Sequence, residues 1–544
     1  MKLSILKQVP GPVRLHAAVG ASLAALVVST ALGSGMTTAV AADAPTTSSG
    51  IVLGVGANES QRVVSWYSSV GTALAVQVVP TSQLVKGQFP ANDRLHKGQC
   101  DKGGSTGSSL RSLTPPNSWA SSSGRCGAVT FPAAVAANSV SGGFNAHQTI
   151  DGLRENVAYS YRVGAEGSWS PTYAFKTRDF KGDFDFLFFG DPQIGSSGNV
   201  AKDSAGWLDT LNVSLAANPK TELLVSGGDQ VEKANTEAQW DGFLAPDKLR
   251  QYPLAPTIGN HDAGGKAYDQ HFSTPNTDRS APFYTGDPTI VSGGDYWYIY
   301  KDVLFIDLNS SAYANGADAA HLGFVTKVVK AQGTHAKYTV LVYHHSIYSP
   351  ADHANDTDIQ ARRLDFPTAF SKLGVDLVLQ GHDHSYSRSY AIKDGQKANV
   401  DEQPGAGQVA EGPGGVIYVT ANSSSGSKYY ELTAPDTTVD PNYGPDPLNP
   451  ASHWANSVEN QEHVRTYVKV EVKNDKLVVK DIRSGTCAAP NAAVELGNVS
   501  VCGPNSGASA AQPVGSTVDK VVIHPTRGRG GLALPTPGQH GSNW

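Results

Sequence analysis

Cysteine is scarce in this chain of 544 residues: there are four, and none stands in a C-x-x-C pair with histidines nearby. That spacing argues against a cysteine-built zinc site and against thiol chemistry. The four fall into two local pairs, Cys100 with Cys126 and Cys487 with Cys502, each flanked by Gly, Ser and Pro. In an exported chain they predict two loop-stapling disulfides, although three pairings are formally open. Charge is also modest. With 17% charged residues and a net charge of −6, the chain has no footprint for nucleic acid. Long apolar runs are missing beyond Leu15–Leu32, so no later segment is expected to span a bilayer. That one run follows Lys2, Lys7 and Arg14 and precedes Ala39-Val40-Ala41, the pattern of a cleaved secretory signal over residues 1–41. A retained anchor is the alternative; cleavage predicts a secreted or surface-associated protein free of the membrane.

What is present describes a soluble, loop-rich globular protein: 40% hydrophobic residues and 57 glycines. Its length exceeds what one core usually serves, which predicts two folded units with tails. After a Thr/Ser linker at Thr46–Ser49, short alternating runs appear at Val63–Tyr67, Ala73–Val79, Tyr159–Val163 and Tyr173–Phe175. They predict an all-β sandwich. Gly152–Gly164 resembles the penultimate strand of a fibronectin type III domain, which places such a domain at 50–177. Phe89–Cys126 within it reads as an insertion held by the first cysteine pair. From Asp183 apolar strands alternate with helical stretches: strands at Phe184–Phe189, Leu223–Val225, Val303–Leu308, Tyr338–Tyr343, Val375–Leu379 and Val416–Thr420, a helix at Ala205–Leu215, and a hairpin over Tyr467–Ile482. An α/β domain is expected over 183–485, and a stapled loop with a loosely packed Gly/Pro-rich tail over 486–544.

The chemistry-bearing residues follow the strands. Gly190-Asp191-Pro192-Gln193, Gly227-Gly228-Asp229, Gly259-Asn260-His261-Asp262, Tyr343-His344-His345 and Gly381-His382-Asp383-His384 each come after an apolar run. Ligands gather at such strand ends in open α/β sheets. Singly, each cluster reads as a turn, a helix cap or a packed ring. Together, oxygen and nitrogen donors of this kind suit two adjacent transition-metal ions, with zinc, manganese and iron all open.

In order and spacing these clusters resemble the calcineurin-like metallophosphoesterase superfamily, and the preceding sandwich with Gly381–Arg388 (GHDHSYSR) resembles its purple acid phosphatase branch. The resemblance implies a four-layer α/β (α+β) metallophosphoesterase sandwich. It implies that Asp191, Asp229 and His384 hold one metal, and Asp229, Asn260, His345 and His382 the other. His344 would stand behind them or touch substrate. Gln193 occupies a place where many members carry histidine, so it would be a weak ligand. Glu232 stands where purple acid phosphatases carry tyrosine, so no charge-transfer colour is implied. His261 would approach the phosphoryl or leaving-group oxygens, and Asp262 stands where it could orient that ring; the forked donors of Arg388 suit a phosphate, with an exposed structural ion pair as the alternative. The implied activity is hydrolysis of small phosphate monoesters by attack of a metal-bridging hydroxide. A diesterase or nucleotidase with the same centre is the near alternative, and a noncatalytic surface-binding protein the distant one.

Overall fold

The computed structural model describes residues 47–90, 94–95, 128–281, 291–412, 414–485 and 512–525. The expected signal segment, all four cysteines and most of the 89–126 insertion lie outside these residues.

Two sheets packed face to face carry the second half of the chain. In the first, Phe184–Phe189 pairs in parallel with Thr221–Ser226, and that strand with Leu254–Ala255. In the second, Val303–Leu308, Tyr338–Tyr343, Leu377–Gln380 and Ile417–Thr420 run parallel in that order. Each strand buries both faces, which is why these segments are continuous apolar runs rather than alternating ones. Alternate residues serve different cores. Phe184, Phe186 and Phe188 meet Phe305, Val340, Val342, Leu377 and Leu379 between the sheets. Leu187, Phe189 and Leu224 face Trp207, Leu211, Trp240 and Phe243, from the helices Val200–Ala217 and Glu237–Leu244. Leu304, Ile306, Leu341 and Val378 face Val325, Phe366 and Phe370, from the helices Ala317–Gln332 and Thr357–Leu373. The result is the four-layer helix–sheet–sheet–helix sandwich. Each fully buried side chain of this size contributes about 1.5–3 kcal/mol.

The N-terminal β-sandwich has its own core, with Trp66, Val76, Val78, Tyr159 and Tyr161 fully buried. The Tyr159 hydroxyl accepts from the Arg154 amide at 2.9 Å and pins the turn before its strand. Its first strand, Ser48–Val55, begins inside the expected linker and pairs in parallel with Leu254–Ala255, Gly54 opposite Leu254. One eleven-stranded sheet therefore runs through both units.

The tail also departs from expectation. Thr517–His524 is a strand antiparallel to Leu477–Arg483, with Val521 and Ile523 fully buried. Alternating apolar residues in VDKVVIH, not the surrounding Gly/Pro content, decide that segment.

Candidate metal centre

The three parallel strands of the first sheet deliver Asp191, Asp229 and Asn260 from their carboxyl ends, and the second sheet delivers His344, His382 and His384. The clusters meet because the sheets face one another. Close approach requires glycine before the donors: a Cβ on Gly259 would stand 2.0 Å from Asp229 Oδ1, and one on Gly381 would stand 2.4 Å from Asp191 Oδ2. The donors themselves are held in the left-handed region, with φ of 30° at Asp191, 36° at Gln193, 45° at Asp229, 76° at His382 and 43° at His384. Such conformations cost about 1–3 kcal/mol each and cluster where function demands them.

Donor atoms converge on one point. His344 Nε2 lies 2.9 Å from Asn260 Oδ1, 3.1 Å from His382 Nδ1 and 3.2 Å from Asp229 Oδ2. Ligand atoms of Asp229, His344 and His382 all fall within 4.8 Å of one another. On the other side of Asp191, His384 Nε2 is 3.8 Å from Asp191 Oδ1, and the Asp191 carboxylate accepts from the His382 amide at 2.8 and 3.0 Å. His384 Nδ1 donates to the Lys428 carbonyl at 3.0 Å, which turns its Nε2 toward the cluster. Gln193 is buried, and its Oε1 has no hydrogen-bond partner among the described residues.

These groups fit a pair of divalent cations. Two buried carboxylates share His344 as a charge partner: burial and the nearby Asp229 push Asp191 well up, and burial opposes charge on Asp229 while His344 pulls it down to about 2. Burial also opposes charge on His344, yet Asp229 and Asp191 hold its proton up to about 9, a proton that a cation bound there would displace. Burial drives His382 far down and His384 down to about 3, so both imidazoles are neutral, as metal ligands must be.

Three expectations need correction. The ring turned to Asp229 belongs to His344, not His345. Val342 faces the space between the sheets and Tyr343 the outer helices, so alternation sends His344 inward with Val342. His345 Nδ1 pairs with Ser310 Oγ at 2.8 Å, although its ring remains 4.5 Å from that of His382. Arg388 does not stand free beside a phosphate: it is fully buried, with Nε 2.6 Å and Nη2 3.2 Å from the Asp519 carboxylate. Asp262 does not touch the His261 ring. Its carboxylate accepts from the amides of Gly259 and Gln230 at 2.9 and 3.1 Å and so fixes the turn carrying Asp229. His261 is instead held by the Glu232 carbonyl, 2.9 Å from Nδ1. His353, not singled out in the sequence, stacks on His382 at 4.0 Å. Asp383, between the two histidines, accepts from the His353 amide at 3.1 Å. No spacing signal marks His353, because it arrives on a separate short turn, Asp352–Asn355.

Residues 184–386 match the model of the calcineurin-like phosphoesterases, and residues 48–177 that of the purple acid phosphatase N-terminal domain. Residues 184–386 are thus a calcineurin-like phosphoesterase domain, preceded by a purple acid phosphatase N-terminal domain at 48–177. The fold is similar to that of a purple acid phosphatase from yellow lupin (Lupinus luteus) seeds, with a TM-score of 0.55 and 15% identity, over 88% of this chain and 75% of that one. A phosphoenolpyruvate phosphatase of Allium cepa is 22% identical over 267 residues, 46% of this chain and 51% of that protein. An uncharacterized protein of Mycobacterium tuberculosis is 25% identical over 281 residues, 45% of this chain and 51% of that protein. The chain thus spans about half the length of the curated relatives it matches.

Proposed function

We propose that this protein is an exported phosphomonoesterase with two metal ions. The observation that carries the reading is the convergence of Asp191, Asp229, Asn260, His344, His382 and His384 at the carboxyl ends of two facing sheets. Asp191, Asp229 and His384, with Gln193 Oε1, would hold one ion; Asp229, Asn260, His344 and His382 would hold the other. When bound, the ions supply Lewis acidity toward the phosphoryl group and acidify water. Asp229 would share its charge between the two ions, and its Oδ1 is kept in place by the His261 amide at 2.9 Å. His261 keeps 30% of its side chain exposed, and with Nδ1–H on the Glu232 carbonyl its Nε2 gives a proton to the departing oxygen when the ring is doubly protonated. Tyr430, 5.3 Å from the His384 ring and 5.2 Å from that of His353, walls the site. The name of the Allium cepa relative supports a monoester substrate. Export rests on the Lys2–Ala41 pattern. Among the described residues no helix is long and apolar enough to cross a membrane.

Metal analysis of the purified protein, with hydrolysis of a chromogenic monoester and diester, tests the reading. Two ions per chain and a preference for the monoester are expected. Preference for the diester moves the substrate class; fewer than two ions removes the mechanism.

A further inference from the structure

The side-chain amide of Gln193 is nearly symmetrical in shape, so its neighbours decide which end points where. Its Nε2 lies 2.8 Å from Glu232 Oε2. A carboxylate only accepts, so the NH2 end must face Glu232, and a flip would set two oxygens against each other. The carbonyl end is thereby committed to the buried side, where Oε1 has no partner among the described residues. An orphaned buried acceptor is destabilising, and a cation would recover that cost. The backbone leaves little freedom to escape: Gln193 N donates to the Asp229 carbonyl at 2.8 Å, and φ is 36°. The same Oε2 stands 3.6 Å from His261 Nδ1, so one carboxylate touches both the amide and the proton-donating ring.

We infer that Glu232 is a positioning residue that sets metal affinity at one half of the centre, by holding Gln193 with its carbonyl oxygen presented to the ion shared by Asp191, Asp229 and His384. This rests on the two-metal reading above. The tyrosine expected by resemblance at position 232 would bind metal directly; here the glutamate acts one residue removed, and a neutral amide takes the coordination place. Because imidazole binds transition ions better than an amide does, this half depends on Glu232 as a histidine site would not.

The test is competition of the metal-free protein against a fluorescent chelator for Mn2+, with ions per chain counted. Wild type should hold two. Glu232→Leu, which removes the acceptor, should weaken one of the two ions about 10- to 100-fold and leave the other unchanged. Glu232→Gln, which keeps an acceptor and loses the charge, should stay near wild type. In a Gln193→Ala background, Glu232→Leu should add nothing. Glu232 is 28% exposed, and Glu232→Ser repeats the measurement should the leucine variant fold poorly. Unchanged affinity in Glu232→Leu overturns the inference. So does an equal loss with and without Gln193, since Glu232 would then act on the ion itself. A wild type that holds fewer than two ions overturns the functional reading and the inference with it.

Discussion

Asp229 is the residue on which most of the centre depends, because its carboxylate meets His344 Nε2 at 3.2 Å and the His261 amide at 2.9 Å from opposite oxygens. Asp229→Asn should lower affinity for both ions by more than the roughly 10- to 100-fold that an outer partner costs, and activity should fall with it. Metal counting beside initial rates checks this; two tightly held ions with normal turnover would rule out the bridge. Gly259→Ala should show the same metal loss from the other direction, since its Cβ would occupy the place of Asp229 Oδ1. A second carboxyl far from the donors in sequence predicts a pH effect. Burial pushes Asp481 up to about 8, despite the Thr466 hydroxyl, from an ordinary value of 3.8. The folded chain therefore binds this proton more tightly than the unfolded one. The stability it contributes is complete below about 3.8 and is lost as pH rises toward about 8. Asp481→Asn should raise Tm over wild type at pH 8 and leave it similar at pH 4. Parallel melts that differ equally at both pH values would assign the effect to packing instead.

Among the elements, the strand Thr517–His524 has a role that its surroundings in the sequence hide. Through Asp519 it binds Arg388 and the Tyr386 hydroxyl, the latter at 2.8 Å, and so ties the first sheet to the strand Tyr386–Ser389 of the second. Removing one partner of such a buried pair leaves the other charge uncompensated, at about 3–5 kcal/mol. Arg388→Met should therefore cost stability of that order, and Arg388→Met with Asp519→Leu should recover much of it. Chemical denaturation measures both. If the single variant keeps its stability and loses only affinity for phosphate, the arginine belongs to the substrate and not to the contact between the sheets. The helix Val200–Ala217, in contrast, is specified locally: Asn199 caps it by accepting from the Lys202 amide at 3.1 Å, and Trp207 and Leu211 mark its buried face.

At the scale of the whole molecule, the pairing of Ser48–Val55 with Leu254–Ala255 joins the two units into one sheet. A chain begun at Asp183 would expose that edge and would leave Glu237 without the Tyr67 hydroxyl that donates to it at 3.0 Å. Such a fragment should melt at a lower temperature than the full protein and associate through the bare strand. A monomeric fragment with full-length Tm would show the units to be independent. Much of this molecule was legible without coordinates. Phe184–Phe189, Val303–Leu308 and Tyr338–Tyr343 are strands with the expected ends, because doubly buried parallel strands read as unbroken apolar runs. The donor clusters stood out because each follows a strand-like run, and four of the five open with a glycine. Three matters were settled only in three dimensions. His344 and His345 are equivalent by composition, and the side of the sheet on which Val342 packs separates them. Arg388 reads like any surface arginine until a strand 131 positions later supplies Asp519. The partner of Ser48–Val55 lies some 200 residues away, and its register is fixed by backbone hydrogen bonds that carry no side-chain signature. Local pattern determined the strands and their terminal donors, since these depend on which residues neighbour one another in the chain; pairing across long separations decided which donors meet, since that depends on which faces the packed sheets turn toward each other.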